Sequence, residues 1–465
     1  MLIHIILHEI RRNILSLRLQ IALVLMVVVF GFGAAAFVMN LKSARENYRR
    51  YSTNRMEMLR GLAEENLSGL ATNREDYILA PRGNAFIDDA GEKYLPNSIR
   101  YSAYNVFGFE VRPGSVNPYL SNFRELNWMF IISIILGFTV FLFTFDSISG
   151  EKESKTLAGS LSNSLSRGTL LMGKFISVVL TSVLVLIPGI CLSLVIILAS
   201  GAVSVTATTI LETAVFVAAA SVFVACIAAF GLLASVVSRS SNVSLLVSLA
   251  LWLLFVAIVP NTAIFWAQKL FPIENSGVIN QRVSNARMDI NRNAPEGSWA
   301  SSSNNPFLPQ HELRAANQTN LMNAEKHIRD AYVNDMIRQL ERVRLVTLVS
   351  PVSLFEHMSE TIVEGGYSRI LKNWSDMHLF RERFFDYFKE KDANDPESPH
   401  WYNPFEDYST TRKGVNFEET PVYNEIPHAI HQRIAALAPY FMATVVYAAV
   451  VFFATFILFV RYDVR

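Results

Sequence analysis

A chain of 465 residues with a formal net charge of +1 and 17% charged residues offers no basic surface for nucleic acid. Apolar and aromatic types reach 51%, high for a soluble protein and modest for one lying wholly in lipid, so the chain divides between membrane and water. Its two cysteines, Cys191 and Cys226, both fall inside apolar runs and read as small buried hydrophobes, not as a disulfide or metal pair.

Six apolar runs are long enough to cross a hydrocarbon core about 30 Å thick. They cover residues 19–39, 128–145, 175–200, 214–237, 243–265 and 435–460. The first also contains Ala34-x-Ala36, which resembles a signal-peptide cleavage site. Its apolar stretch is too long for a signal peptide and five more spans follow, so it is read as a span. The third is interrupted by Pro188-Gly189, which a buried helix tolerates when its neighbours satisfy the freed carbonyl. Between the runs lie two large polar loops, 40–127 and 267–434. Both are odd-numbered loops and therefore share a face. The short segments carry the positive charge: Arg11, Arg12 and Arg18 before the first span, Lys152, Lys155, Arg167 and Lys174 in segment 146–174, Arg239, and Arg461 and Arg465 in the tail 461–465. The positive-inside rule puts these on the cytoplasmic side, with both termini. Lys42, Arg45, Arg49 and Arg50 oppose that orientation, but they belong to a long loop, where the rule is weak.

The spans are as informative for what they omit. Only Asp146 and Glu212 come near them, each at a span end. An ion-coupled carrier usually needs ionisable groups at mid-membrane, so the driving energy is expected from another source. The first loop should begin as a helical continuation of the first span, with Tyr48, Tyr51, Met58 and Leu62 spaced for one face, and then become turn-rich around Pro81, Gly83, Asp88-Asp89, Gly91 and Pro96. In the second loop a polar connector, 291–310, precedes a helix over 311–348. Ser350-Pro351 breaks that helix, an aromatic-rich helical pattern follows over 355–388, and 389–424 reads as a loop. The fold class is therefore an all-α polytopic membrane protein, six spans with two large and mainly helical extracytoplasmic loops. Histidines 311, 327, 357, 378, 400, 428 and 431 are scattered; His428 and His431, three apart near the outer face, are the pair best spaced for a metal. No hydrolase or transferase constellation stands out.

Residues 168–174 begin like a nucleotide-binding loop, with Gly168, Gly173 and Lys174, but Phe175 occupies the place of the magnesium-binding hydroxyl and a membrane helix follows directly. No nucleotide is expected there. The segment between spans two and three is notable for another reason. It carries Glu151, Glu153, Lys155, Thr156 and Leu157, then Leu161, Leu165 and Arg167, with the three leucines at i, i+4 and i+8 on a short helix. It is longer than a connector between antiparallel spans requires.

The run FDSISGEKESKTL…LSR…GK, between spans two and three of a six-span chain, resembles the permease subunit of ABC-2 type transporters. HEIRRNILS is similar to the interfacial helix that these permeases place before the first span. There Ile3, Ile6, Ile10, Ile14 and Leu17 face one way, and His4, His8 and Arg11 the other. LVSPVSLFEHMSE and RERFFDYF in the second loop look like the subgroup with expanded extracytoplasmic regions. Two departures are visible: such families usually show Gly before the Thr-Leu pair, where Lys155 stands, and often Pro before the Ser-Arg pair, where Leu165 stands. The resemblance implies that 1–18 is a cytoplasmic interfacial helix and 146–174 a coupling segment docking into a separate ATPase. Glu151 and Glu153 would meet basic residues of that ATPase, and Leu157, Leu161 and Leu165 would fill its groove. It further implies a dimer with a second copy or a sister permease and a location in the inner membrane of a prokaryote. It also implies no cofactor in this chain (ATP and magnesium belonging to the ATPase) and a cargo more lipidic or amphipathic than ionic. The other reading from the same residues is a scaffold that transmits ATPase strokes to a periplasmic partner without moving cargo.

Overall fold

The computed structural model describes residues 2–92, 95–110, 126–157, 159, 166–296, 298, 309–402 and 410–462. The amphipathic helix α1 (Leu2–Ile14) buries Glu9 and leaves Ile3, Leu7 and Ile14 exposed, the pattern of a helix lying in a membrane interface. Six long apolar helices follow. They are α2 (Leu17–Glu65), α4 (Trp128–Glu153), α5 (Arg167–Ala199), α6 (Ala207–Val237), α7 (Ser241–Leu270) and α12 (Ile430–Arg461). Ser16 caps α2 by accepting from Leu19 N. That helix runs unbroken for 49 residues, about 75 Å at 1.5 Å per residue, so the first span and the expected helical continuation are one rod. Pro188 and Pro439 sit inside α5 and α12 without ending either.

Helix α6 is the centre of the bundle. It and α4 are 67% buried over their apolar windows, against 17% for α7 and 28% for α12. Phe216, Phe223, Cys226, Ile227 and Phe230 of α6 fill the main core together with Phe30 of α2, Trp128 and Phe141 of α4, and Val185 of α5. The approach of α4 to α6 depends on Gly231, because a Cβ there would collide with Thr144 Oγ1 and lie 2.8 Å from Thr144 Cβ. Helix α7 shows most of its apolar surface, including Leu246, Leu253, Phe265 and Trp266.

The first large loop holds a small sheet that the sequence did not announce. After α3 (Leu67–Thr72), strands β1 (Glu75–Ile78), β2 (Ser98–Tyr101) and β3 (Val106–Glu110) pair antiparallel in the order β1-β2-β3. Strands this short, set among turn residues, give too few alternations to be read. Tyr77, Ile99, Tyr101 and Val106 pack against the top of α2 and against α11 (Gly366–Ala393), whose Trp374, Met377, Phe380, Phe384 and Phe388 recur at helical spacing. The fold is thus helical, as expected, with this one sheet added among the described residues.

The second large loop carries α8 (Ser276–Arg292), α9 (Pro309–Thr347), α10 (Pro351–Val363), α11 and a single 3-10 turn before α12. Segment 267–434 is expected wholly outside the membrane, but α9 and α10 form a re-entrant hairpin. Ser350 Oγ donates to Phe255 O at 2.9 Å, and Tyr447 donates to Val349 O at 2.9 Å. Phe255 and Tyr447 stand at the middles of the fifth and sixth apolar runs. Phe355 stacks on Phe223 of α6 with ring centroids 4.8 Å apart and 15° between planes. With 13 residues, α10 is too short to span, and hydropathy read along the chain does not distinguish it from a core helix of a soluble domain. Only its neighbours place it. Non-spanning backbone at this depth is tolerated because it is enclosed by protein: Ser350 accepts from Val352 N and Ser353 N, which satisfies the first turn.

Gly231→Ala should lower stability by about 1–3 kcal/mol through overpacking, read as a reduced melting temperature in detergent. Adding Thr144→Ala should recover part of the loss; full stability in the single variant would contradict the close approach of α4 to α6.

Candidate functional site

Two polar assemblies stand out, one at each end of α4. At the end of α4 next to α1, Lys174 of α5 is 1% exposed and donates to Glu9 Oε1 of α1 at 2.8 Å and to Glu151 Oε1 at 2.7 Å. Two buried or half-buried carboxylates face one ammonium, and Arg12 joins from the rim at 2.6 Å from Glu9. A Cβ at Gly173 would lie 2.6 Å from Ile5 Cγ2, so the glycine is what lets α1 settle on α5. The nucleotide-loop resemblance of 168–174 is thereby explained by packing. These residues are the first turns of a helix, and the lysine is committed to two carboxylates.

The other described residues of segment 146–174 are largely bound into the bundle. Ile148 N and Ser149 N donate to Ser235 Oγ of α6 at 2.9 and 3.0 Å. Lys152 donates to Val236 O and Ser238 O and sits over the Tyr462 ring. Glu153 Oε2 accepts from Ser241 N at 3.0 Å, at the start of α7. Arg167 donates to the carbonyls of Phe459, Val460 and Tyr462, which closes the C-terminus of α12. Leu157 is 2% exposed and packs with Leu171, Leu232 and Phe459. It therefore points into the bundle, away from any outer groove. Leu161 and Leu165 lie outside the described residues. Glu153, Ser154, Lys155 and Thr156 are exposed, and of these Glu153 is engaged with α7. Lys155 has φ +57°. Glycine enters that left-handed region freely, whereas a residue with a Cβ is strained in it.

At the outer end, a cavity of about 470 Å3 opens between α4, α7 and the re-entrant hairpin. Met129, Phe130 and Ile134 of α4, Val256 of α7 and Val352 of α10 give it apolar walls. The α4 and α7 walls are both π-helical here, over Ile131–Leu136 and Leu254–Ile258, a geometry frequent at functional sites. Its polar wall is the face of α10 that carries Ser353, Glu356, His357 and Glu360, with Arg344 of α9. Arg344 pairs with Glu360. Burial, with the Arg344 guanidinium nearby, lowers His357 to about 3, so its ring is neutral in this hairpin, which does not cross the membrane. On the loop side, burial pushes the Asp88 carboxyl well above the usual range, reinforced by Asp89 beside it. The spans lack mid-membrane charge in the sequence, yet the hairpin brings four polar or ionisable side chains of α10 to the outer half.

Beside the cavity, a second buried network ties the outer domain to the bundle. Arg433 of α12 donates to Glu212 Oε1 at 2.6 Å and to Ile362 O at 2.8 Å, and Asn84 donates to Glu212 Oε1 at 3.3 Å and Val363 O at 3.1 Å. Asp146, the other charge expected at a span end, pairs with Arg18 at 2.8 Å. The histidine pair does not converge on a metal: His428 N donates to Glu364 Oε2 at 2.7 Å and its Nδ1 engages Glu364 Oε1. No group of three or more His, Cys, Asp or Glu that could hold a metal ion occurs among the described residues. Sequence reasoning missed Glu9, Lys174 and the α10 face as site residues. The first two carried a signal, a lone acid in an amphipathic helix and a lysine at the start of a span.

Lys174→Met should cost about 3–5 kcal/mol, because it leaves two carboxylates without their cation in a buried joint; adding Glu9→Gln and Glu151→Gln should restore most of the melting temperature. Lys155→Gly should be neutral or stabilising, and Lys155→Val destabilising by roughly 1–2 kcal/mol, both read by thermal unfolding.

A search among curated proteins finds no match. A family profile described as ABC-2 family transporter protein matches residues 3–464, which takes in both polar assemblies and all six long apolar helices. This multi-pass membrane chain therefore belongs to the ABC-2 family of transporter proteins, as the permease subunit of an ABC transporter.

Proposed function

We propose that this permease exports an amphipathic cargo. A separate ATPase dimer docks on the cytoplasmic segment between α4 and α5, and two permeases, identical or sister chains, form the transporter. The observation that carries the reading is the Glu9–Lys174–Glu151 joint. It makes the segment part of α1, α4 and α5 at once, so force applied at Ser154–Thr156 has no soft connector in which to dissipate. The docking surface is therefore the exposed turn at Ser154, Lys155 and Thr156. Glu151 and Leu157 act from behind that surface by holding it in place. Glu153, exposed but capping α7, contributes a rim charge, which acts more on association rate than on affinity. The broad apolar face of α7 supports pairing with a second permease. ATP and magnesium belong to the ATPase, and both termini of this chain lie on its side of an inner membrane of prokaryotic type.

The height of the outer domain favours a second reading. Helix α2 runs 49 residues and α9 runs 39, so rigid rods lift the sheet and α11 tens of ångströms above the membrane. A scaffold working a periplasmic partner would use those rods and leave the cavity empty.

Ser154→Arg and Thr156→Arg should abolish copurification of the ATPase and its stimulation while leaving the melting temperature unchanged; normal binding by both variants would sink the docking assignment. For orientation, with Cys191 and Cys226 replaced by alanine, Ser276→Cys should react with an impermeant thiol reagent on intact cells. Ser154→Cys should react only after the membrane is opened, and labelling of Ser154→Cys from outside would reverse the topology.

A further inference from the structure

The cavity at the outer end of α4 holds a buried hydrogen-bond acceptor with no donor. Thr347 Oγ1 donates to Arg344 O at 2.8 Å, which uses its only proton. In its 3.0 Å contact with His357 Nε2 the hydroxyl must therefore accept, and the imidazole donates from Nε2. A neutral ring has one N–H, so Nδ1 is left as a lone-pair acceptor. That atom has no hydrogen-bond partner, and the nearest carboxylate oxygen, Glu360 Oε2, is 4.0 Å away and is itself an acceptor. The His357 side chain is 8% exposed. One turn earlier, Ser353 is 1% exposed, and its Oγ also lacks a partner. Both residues line the cavity, on the α10 face that also carries Glu356. Leaving a buried acceptor unsatisfied costs stability unless something enters to donate.

We infer that this cavity binds an amphiphile through a hydrogen-bond-donating cationic head, a primary ammonium, seated against His357 Nδ1 and Ser353 Oγ. Its hydrocarbon chain lies along Met129, Ile134 and Val256. The carboxylate of Glu356 at the wall favours a positive head over a phosphate, and the volume of about 470 Å3 is that of a small-molecule site, far larger than a single inorganic ion needs. Four of the five aliphatic and aromatic wall residues named above lie on membrane-spanning helices, so the tail reaches its groove from the lipid side while the head stays with the hairpin. This inference names the cargo class for the export reading and rests on it, but binding to the cavity is measurable without any ATPase.

The test uses the full chain in lipid nanodiscs, with empty nanodiscs as reference, and measures binding calorimetrically for four C12 probes. Dodecylamine offers charge and donors, dodecyltrimethylammonium charge without donors, dodecanol a donor without charge, and dodecyl phosphate the opposite charge. Dodecylamine should bind most tightly, with dodecyltrimethylammonium and dodecanol each weaker by about tenfold or more, the loss of one hydrogen bond involving a charged group, and dodecyl phosphate excluded. His357→Phe should weaken dodecylamine about tenfold and erase its advantage over dodecyltrimethylammonium. Glu356→Gln, an isosteric change at a half-buried position with the melting temperature measured alongside, should weaken both cationic probes together. Equal affinity for dodecylamine and dodecyl phosphate, or wild-type affinity in both variants, would overturn the assignment. Because the readout is binding alone, that result would leave ATP-driven export standing. Conversely, tight and selective amine binding in a chain that captures no ATPase would support the site and remove the export reading.

Discussion

A bilayer interior supplies no water, so every polar group carried into it must be partnered by the chain itself. That constraint organises this molecule. Charged side chains gather towards the two ends of the bundle: Lys174 with Glu9 and Glu151 at one, and Arg433 with Glu212 and Arg344 with Glu360 towards the other. Between them, the polar contacts are those of hydroxyls and carbonyls, such as Ser350 with Phe255 O and Tyr447 with Val349 O. Each rim network joins elements far apart in sequence, because in a low-dielectric setting an unpaired charge costs more than the constraint imposed by its partner. Several buried polar atoms are left without a partner in the chain, among them Thr181 and Ser182 of α5 and Ser244 and Ser248 of α7; Ser353 Oγ and His357 Nδ1 differ from these in lining a cavity large enough for a ligand.

The two assemblies are connected by α4. Its inner end carries Glu151 and the exposed turn that follows, and its outer end is the π-helical wall of the cavity. At 26 residues the helix is about 39 Å long, so a displacement at the Glu9–Lys174–Glu151 joint reaches the cavity along one element, within a core crowded by Phe141, Phe216 and Phe223. The π turns of α4 and α7 mark where this wall departs from regular helix. The outer domain is attached at the same level, through Arg433, Glu212 and the end of α10, so any change in the cavity wall is felt by the domain above it.

In the segment between α4 and α5, Leu157 is turned away from the groove-filling position expected of it, and the reason is physical. Periodicity identifies one face of a helix but not what that face meets. Leu157 meets Leu171, Leu232 and Phe459 of its own chain. Glu151, an acid in a polar loop by sequence, is held by a buried lysine. Lys155 has a left-handed backbone, a position at which glycine would be unstrained and a residue with a Cβ is not.

By itself, the sequence determined the six spans, their parity, the shared side of the two large loops and the rod-like extension of α2. All of these follow from hydrophobic run length and charge counts, which are local properties. It also showed that residues 168–174 depart from a nucleotide-binding loop, because Phe175 stands where the magnesium-binding hydroxyl would be. Only the tertiary structure decided the rest. The small sheet was illegible because strands of four or five residues carry too little pattern. The re-entrant hairpin was illegible because 13 apolar-faced residues look alike in a soluble core and in a membrane. The joint of Glu9, Lys174 and Glu151, and the tautomer that leaves His357 Nδ1 open, depend on atoms brought together across more than a hundred residues of chain or across a helix break. No local pattern encodes such a meeting; the packing of α1 on α5 and of α10 on α6 creates it.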